Sequence, residues 1–495
     1  MCQKFKKFLN MVNFIYIDLA LLAIFCIWVF LFLRKNKDKV KKEGIFLLYK
    51  TKVGLKFIDN IAKKHPKFLK VMAYVSITFG FIAMIFMIWL LIENVVLLAK
   101  IPEAIKTPPI LPVLPYVPQL FKIPGLPDFY FIHWIIILVI LATTHEFAHG
   151  IYARLYNVRI KSTGFGFLGP IIMAFVEQDE KQMNRKKNKE QMAILSAGPF
   201  SNFIFMIIFG LIFILFLSLS IAPITPFYAA TAINSSQINS LNINGNEIYP
   251  SSFTNLSLND IEKNLPDKFF LNIQINKENL TENKTFILTK DYFIQQFSQI
   301  KDHGNETVVI YYNAPLINSN IQGEIKKING ISVENQSIYQ ELTKIQPYQQ
   351  ISVETTKGVY NIIADKNPSN ESRGFIGISY SPKATNTAGK IISFFSPAKN
   401  PFMNYGPRYN QEVFSFFSTL FIWLILLCFA VATFNMLPFA FLDGGKFFYL
   451  AMLSITKKKK LSEGLYKAAS ILVIIILIAM MVVWLVRMFW PNFFL

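Results

Sequence analysis

The residues of this chain best suited to chemistry are His145, Glu146 and His149. They stand as His145-Glu146-Phe147-Ala148-His149 inside an apolar run from Phe131 to Tyr156. On a helix, positions i and i+4 lie about 40° apart around the axis and about 6 Å along it. Both imidazoles therefore point one way and can share one metal ion, with Glu146 beside them as a candidate general base. The competing reading is a chance match to a short pattern. The setting disfavours it, because a charged side chain near the middle of a membrane span costs roughly 2.5–3.5 kcal/mol and an ionisable residue there points to function. The remaining histidines, His65, His133 and His303, lack ligand spacing. A third donor stands far along the chain at Asp443, followed by Gly444 and Gly445 at the end of another apolar run. Two histidines and one carboxylate, with a fourth position open to water, form the donor set of a catalytic zinc site and not of a closed structural one. One zinc ion per chain is expected.

Such donors need a scaffold that crosses lipid. Of 495 residues 53% are hydrophobic, and the mean hydropathy is +0.39, which points to a multi-span membrane protein. Six apolar runs are long enough to span a bilayer: Met11–Leu33, Val71–Leu98, Phe131–Tyr156, Ala193–Ile221, Val413–Leu437 and Ile471–Trp490. The formal net charge is +20, but the cations cluster beside these runs. The positive-inside rule accounts for that, and no nucleic-acid partner is expected. Cys2, Cys26 and Cys428 form no C-x-x-C, so neither a disulfide framework nor a cysteine metal site is expected.

The cations also set a topology. The cationic stretch from Arg34 to Lys70 is expected on the cytoplasmic side. Its apolar residues Leu55, Phe57, Ile58 and Ile61 either lie on the membrane surface or belong to a solvated connector. The proline-rich loop 101–127 is expected outside the cytoplasm. Residues 164–176 are apolar, too short to span and interrupted by Gly and Pro, which fits a re-entrant hairpin, or failing that a surface hairpin. Asn202, in Ala197-Gly198-Pro199-Phe200-Ser201-Asn202, is an amide at membrane depth and needs a partner, either another helix or a substrate backbone. This topology puts His145, His149 and Asp443 at similar depth, in the cytoplasmic halves of their spans.

Residues 223–400 change character: apolar runs shrink to strand length and Asn, Ser, Thr and Gly rise. Leu241–Ile248 and Ile325–Val333 each read as strand, Asn-Gly turn, strand, a hairpin signal. The Asn-x-Ser/Thr sequons here follow from composition and receive no function. The chain thus divides into residues 1–100 (two spans and a basic connector), 101–127 (the proline-rich loop), 128–222, 223–400, 401–455 and 456–495.

In order along the chain, His145-Glu146-x-x-His149-Gly150, Ala197-Gly198-Pro199-x-x-Asn202 and Asn435-x-x-Pro438…Leu442-Asp443-Gly444 resemble the site-2 protease family of intramembrane zinc metalloproteases, over roughly residues 128–455. The segment from Gly323 to Ser379 is similar to part of a PDZ domain, and residues 223–310 would supply a second such unit or a diverged insertion. The resemblance implies a polytopic α-helical membrane protein of about six transmembrane helices with an inserted extracytoplasmic β-rich PDZ-like region. It implies His145, His149 and Asp443 as zinc ligands, Glu146 as base, and a substrate-binding role for Asn435, Asn202 and Pro438. Residues 164–176 would hold the substrate extended. Ala440 stands where relatives often have a second proline. The implied partners are transmembrane protein substrates and the lipid bilayer of the cell membrane. Two other readings stand beside this one. A membrane-tethered metalloprotease of the soluble type would use Glu177 or Glu190 as third ligand. A non-catalytic scaffold would bind extracytoplasmic peptides through its PDZ-like units.

Overall fold

The computed structural model describes residues 14–100, 113–121, 126–234, 240–243, 246–248, 268–277, 280–289, 307–335, 337–381 and 387–489. Most of the proline-rich loop, and the outer ends of the first and last expected spans, lie outside the described residues. The chain splits into two compact units, residues 1–213 with 412–495 and residues 214–411.

In chain order the first unit contains α1 (Phe14–Lys35), β1 (Val40–Glu43), β2 (Phe46–Thr51), α2 (Leu55–Lys64), α3 (Pro66–Lys100), α4 (Phe131–Leu155), β3 (Ile160–Leu168), β4 (Ile171–Gln178) and α5 (Asn188–Ser220). After the second unit it continues with α6 (Gln411–Phe434), α7 (Asp443–Thr456) and α8 (Lys459–Phe489). Among the described residues six helices, α1, α3, α4, α5, α6 and α8, are long and apolar enough to cross a membrane. This multi-pass architecture is the one expected. Lipid supplies little drive for helices to associate, so close packing of small residues matters. Ala73, Ala148, Ala153, Ala193, Ala197 and Ala451 fill that role in a buried cluster that joins α3, α4, α5 and α7.

The cationic stretch after α1 corrects the expectation of a connector or surface-lying segment. β1 and β2 form a hairpin that joins β3 and β4 in one sheet of order β1-β2-β3-β4. β2 pairs with β3 from Leu47↔Phe167 to Thr51↔Thr163. The following α2 is amphipathic and turns its apolar side onto α4. Ile58 is 0% exposed, clusters with Ile160 and Val176, and a Cβ added at Gly150 would stand 3.0 Å from its Cδ1. Asp59 pairs with Arg154 at 2.7 Å. Neither β1 (Val-Lys-Lys-Glu) nor β2 (Phe-Leu-Leu-Tyr-Lys-Thr) alternates apolar with polar residues, so the sequence carries no strand period here. Residues 164–176 form the expected hairpin. It turns at Gly169, whose φ of 58° is available to glycine at little cost.

A buried carboxylate anchors the opposite end of α4. Asp18 of α1 is 0% exposed and accepts the backbone N–H groups of Phe131 (2.7 Å) and Ile132 (2.9 Å) and the hydroxyl of Tyr116. It caps the helix that carries His145 and His149 with a negative charge at the positive end of the helix dipole.

In the second unit β5 (Ile221–Pro226), β6 (Ala230–Asn234), β7 (Ser240–Ile243), β8 (Asn246–Ile248), β9 (Lys268–Lys277), β10 (Leu280–Thr289) and β11 (Thr307–Tyr312) precede β12 (Ile325–Ile328), β13 (Ile331–Ser332), β14 (Gln350–Thr355) and β15 (Val359–Ile363). Both expected hairpins form, β7 with β8 and β12 with β13. In the second, Asn329 and Gly330 have φ of 48° and 75°, the left-handed pair that a two-residue turn demands. The sheets around them differ. One has six strands in the order β6-β11-β10-β9-β7-β8, the other four in the order β13-β12-β14-β15, so the hairpins do not mark two equivalent copies.

Replacing Asp18 by Leu leaves three buried donors unpaired and should destabilise the protein by about 2–4 kcal/mol. Asp18→Asn keeps an acceptor oxygen and should cost less. Thermal unfolding in detergent, with hydrogen exchange at Phe131 and Ile132, checks this; equal melting of all three proteins refutes the anchor.

Candidate metal centre

The three donors meet. His145 and His149 are one turn apart on α4, and their Nε2 atoms lie 3.1 Å from each other. The Oδ2 of Asp443, the first residue of α7, is 3.4 Å from His145 Nε2 and 3.3 Å from His149 Nε2. Both histidines are buried, and Asp443 is half-buried. Tetrahedral donors about 2.0–2.2 Å from a zinc ion are about 3.3–3.5 Å apart. The observed separations therefore fit one ion held by two nitrogens and an oxygen. Among the described residues this is the only group of His, Cys, Asp and Glu side chains close enough to hold a metal.

The neighbours orient the imidazoles for that task. His149 Nδ1 lies 2.7 Å from the backbone carbonyl of Ile194, to which it donates, and this leaves Nε2 with a free lone pair. His145 Nδ1 meets the amide of Asn202 at 3.0 Å, and the other end of that amide is 3.3 Å from Thr144 Oγ1. Thr144 already donates to the carbonyl of Leu141 at 3.1 Å. The amide satisfies every partner when Oδ1 accepts from His145 Nδ1–H and Nδ2 donates to Thr144. Asn202 is 0% exposed. Of the two partners open to it in the sequence, the helix is the one seen here: the amide contacts His145 and Thr144 of α4 and supports a donor.

Two glycine sites let the backbones come this close. A Cβ at Gly198 on α5 would stand 2.4 Å from His149 Nε2 and 2.6 Å from His145 Nε2. α5 continues through Pro199, and Gly198 serves as the close approach. Gly444 and Gly445 let α7 start against the turn before it, since Cβ atoms there would meet the backbone of Met436 and Phe439 at 2.3 and 2.2 Å. The Gly444 N–H donates to the carbonyl of Asn435 at 2.7 Å. This turn aims Asp443 at the histidines. Asn435 brings its Nδ2 within 3.5 Å of His145 Nε2. Pro438, in the turn before α7, is buried and its carbonyl accepts from Ser470 at 3.3 Å.

Glu146 points elsewhere, toward the sheet, where its Oε2 accepts the backbone N–H of Val176 at 3.0 Å. Among the described residues β4 is the last strand of its sheet, so the candidate base sits against a sheet edge. An ionic clasp holds that strand. Lys50 of β2 reaches across β3 to Glu177 at 2.9 Å, and Ser162 donates to the same carboxylate oxygen at 2.5 Å. Glu177 is thus engaged with Lys50, not with the histidines, and neither it nor Glu190 joins the metal-binding group. The reading with a soluble-type third ligand falls.

The fold and site define a multi-pass membrane protein with a two-histidine, one-carboxylate centre. Residues 133–480 match peptidase family M50, and the chain belongs to this family of zinc metalloproteases. An uncharacterized protein of Methanocaldococcus jannaschii is 33% identical over 189 residues, which cover 37% of this chain and 47% of that relative. The chain therefore spans about half of that relative's length.

Two outcomes follow. Asn202→Leu removes the acceptor for His145 and should lower zinc affinity about 10–100-fold in competition with a chromophoric chelator, the range for loss of such a support; unchanged affinity contradicts the role. Glu177 is held below its usual 4.5, first by the Ser162 hydroxyl and then by Lys50, and Lys50 is held above its usual 10.5, chiefly by Glu177. A lowered carboxylate contributes stability above 4.5 and loses it as pH falls through its folded value; a raised lysine loses its contribution only as pH rises past its own. Amide protection factors across 171–178 should therefore stay flat between these limits and drop as pH falls below 4.5. In Glu177→Gln they should be low throughout.

Proposed function

We propose that the protein is a zinc-dependent intramembrane endopeptidase that cuts transmembrane segments of other membrane proteins. The observation that carries this reading is the convergence of His145, His149 and Asp443, from two helices far apart in sequence, beside a glutamate bonded to a sheet edge. A bound zinc ion supplies Lewis acidity toward water and carbonyl oxygen alike. Glu146 takes a proton at its carboxylate and returns it to the nitrogen of the departing fragment. Asn202 and the Ile194 carbonyl keep both imidazoles turned toward the ion throughout.

A transmembrane helix has its amides bonded internally, so it resists cleavage until it is unwound and given replacement bonds. In this reading β4 gives them by strand addition. Val176 directs its N–H away from β3, to Glu146. Alternation along a strand turns the N–H and C=O groups of Ile172 and Ala174 to the same free edge. A substrate strand bonded there carries its scissile peptide past Val176 to Glu146 and the donors. The Asn435 amide would donate to the substrate backbone beside His145, while Pro438 holds the turn. The 223–400 region, PDZ-like and outside the cytoplasm in this reading, screens or binds substrate, with the cutting centre toward the cytoplasmic side. The complete donor set and Glu146 weigh against a scaffold without activity.

Glu146→Gln should keep its zinc and lose about 10²–10⁴-fold in cleavage of a transmembrane substrate reconstituted with it. Asp443→Asn should lose zinc as well, and Glu190→Gln should lose neither. Ala174→Pro deletes one edge N–H that serves no partner in the sheet, so it should slow cleavage with zinc content intact. Cleavage that survives in Glu146→Gln ends this account of the reaction.

A further inference from the structure

We propose that the face of α3 turned toward α5 and α6 binds an anionic phospholipid, headgroup at the lysine-rich end and acyl chains along the helix. The site lies apart from the metal donors, and the inference does not depend on the protease reading.

Two adjoining cavities share Tyr74. One is polar, encloses about 320 Å³ and is lined by Lys70 and Tyr74 of α3, Tyr156 at the end of α4, and Lys187, Lys189 and Glu190 at the start of α5. The other is apolar, encloses about 570 Å³ and runs on between α3, α5 and α6, past Thr78, Ile82 and Phe86 to Phe203 and Phe429. Lys70, Tyr74, Thr78, Ile82 and Phe86 recur every fourth residue, so they form one stripe along α3. The stripe starts at a cation and continues as hydrocarbon, the profile of a phospholipid seen from the side.

Charge identifies the occupant. The polar end carries three lysines against one carboxylate, and Glu190 already accepts the Lys187 N–H at 3.2 Å. Among the described residues none of the three lysines forms an ion pair; Lys189 rests over the Tyr74 ring at 5.0 Å. Basic pockets between helices at a membrane face recruit acidic headgroups, and a zwitterionic lipid leaves such a charge uncompensated.

The test uses the full-length chain reconstituted in vesicles of phosphatidylcholine with a minor share of phosphatidylglycerol, extracted in mild detergent and weighed by native mass spectrometry. Retained phosphatidylglycerol should be enriched about tenfold over its share of the bilayer, a preference within what a few near-surface lysines supply. Lys70→Gln, Lys187→Gln and Lys189→Gln combined should erase the enrichment. Ile82→Trp, which fills the groove from an exposed position and leaves the lysines in place, should reduce total lipid retention, so the proposal stays testable if the triple variant misfolds. Excess inorganic phosphate should leave the lipid bound. Equal retention of both lipids, enrichment that survives the glutamines, displacement by phosphate alone, or a lipid-free pair of chains in place of the lipid overturns the proposal.

Discussion

Everything in the first unit serves one demand: three donors must be held about a hydrogen bond's length apart inside a membrane protein. Two lone pairs and a carboxylate oxygen brought this close are costly to bury unless a cation compensates them. The packing that enforces the approach is specific. Ala148, Ala193 and Ala197 shorten the distance between α4 and α5, Gly198 leaves the space above both Nε2 atoms, and Gly444 with Gly445 lets α7 begin where Asp443 can reach them. A methyl group added at any of these glycines would collide with a donor or with the backbone that aims one. The carbonyl of Ile194 and the amide of Asn202 then remove the rotational freedom of the rings. Such preorganisation lets side chains bind a metal without first paying to assemble the site.

The donors were legible in the sequence because their spacing is local. His145, Glu146 and His149 need only one helix, and the spans show in hydropathy. Asp443 was legible for a different reason: the lysine placement fixed a depth for it, and an acid followed by two glycines at the end of an apolar run is hard to account for otherwise. The partners of the donors were harder to see. The sequence leaves Asn202 either a substrate or a helix as partner, and only the structure shows its buried contact with His145 Nδ1. Asp18 was missed altogether. The signal was present, a lone carboxylate in an otherwise apolar run, and the rule that intramembrane charge demands an explanation would have found it. Its partners, the first amides of α4, lie more than a hundred positions away, and no short-range pattern reports such a contact.

The basic stretch between α1 and α3 is the largest departure from expectation. Its many lysines read as a solvated or membrane-surface segment, but β1 and β2 extend the sheet that carries β4, and α2 packs on the helix of His145. It precedes the residues that match peptidase family M50, yet it reaches the centre twice. Phe57 packs on Phe147, two residues before His149, and Lys50 holds Glu177, the neighbour of the residue that bonds Glu146. The N-terminal segment thus braces both the helix of the donors and the strand edge beside them. Pairing of strands far apart in the chain is the kind of structure that charge and hydropathy cannot reveal, because each strand is only four to nine residues long.

The account rests on two imidazoles and one carboxylate sharing a single zinc ion. X-ray absorption at the zinc edge, on purified full-length protein, reads that first shell directly. The structure predicts nitrogen and oxygen scatterers alone at about 2.0–2.2 Å with the outer-shell signature of two imidazoles. A sulfur shell near 2.3 Å, a single imidazole, or a first shell that Asp443→Asn leaves unaltered would contradict it.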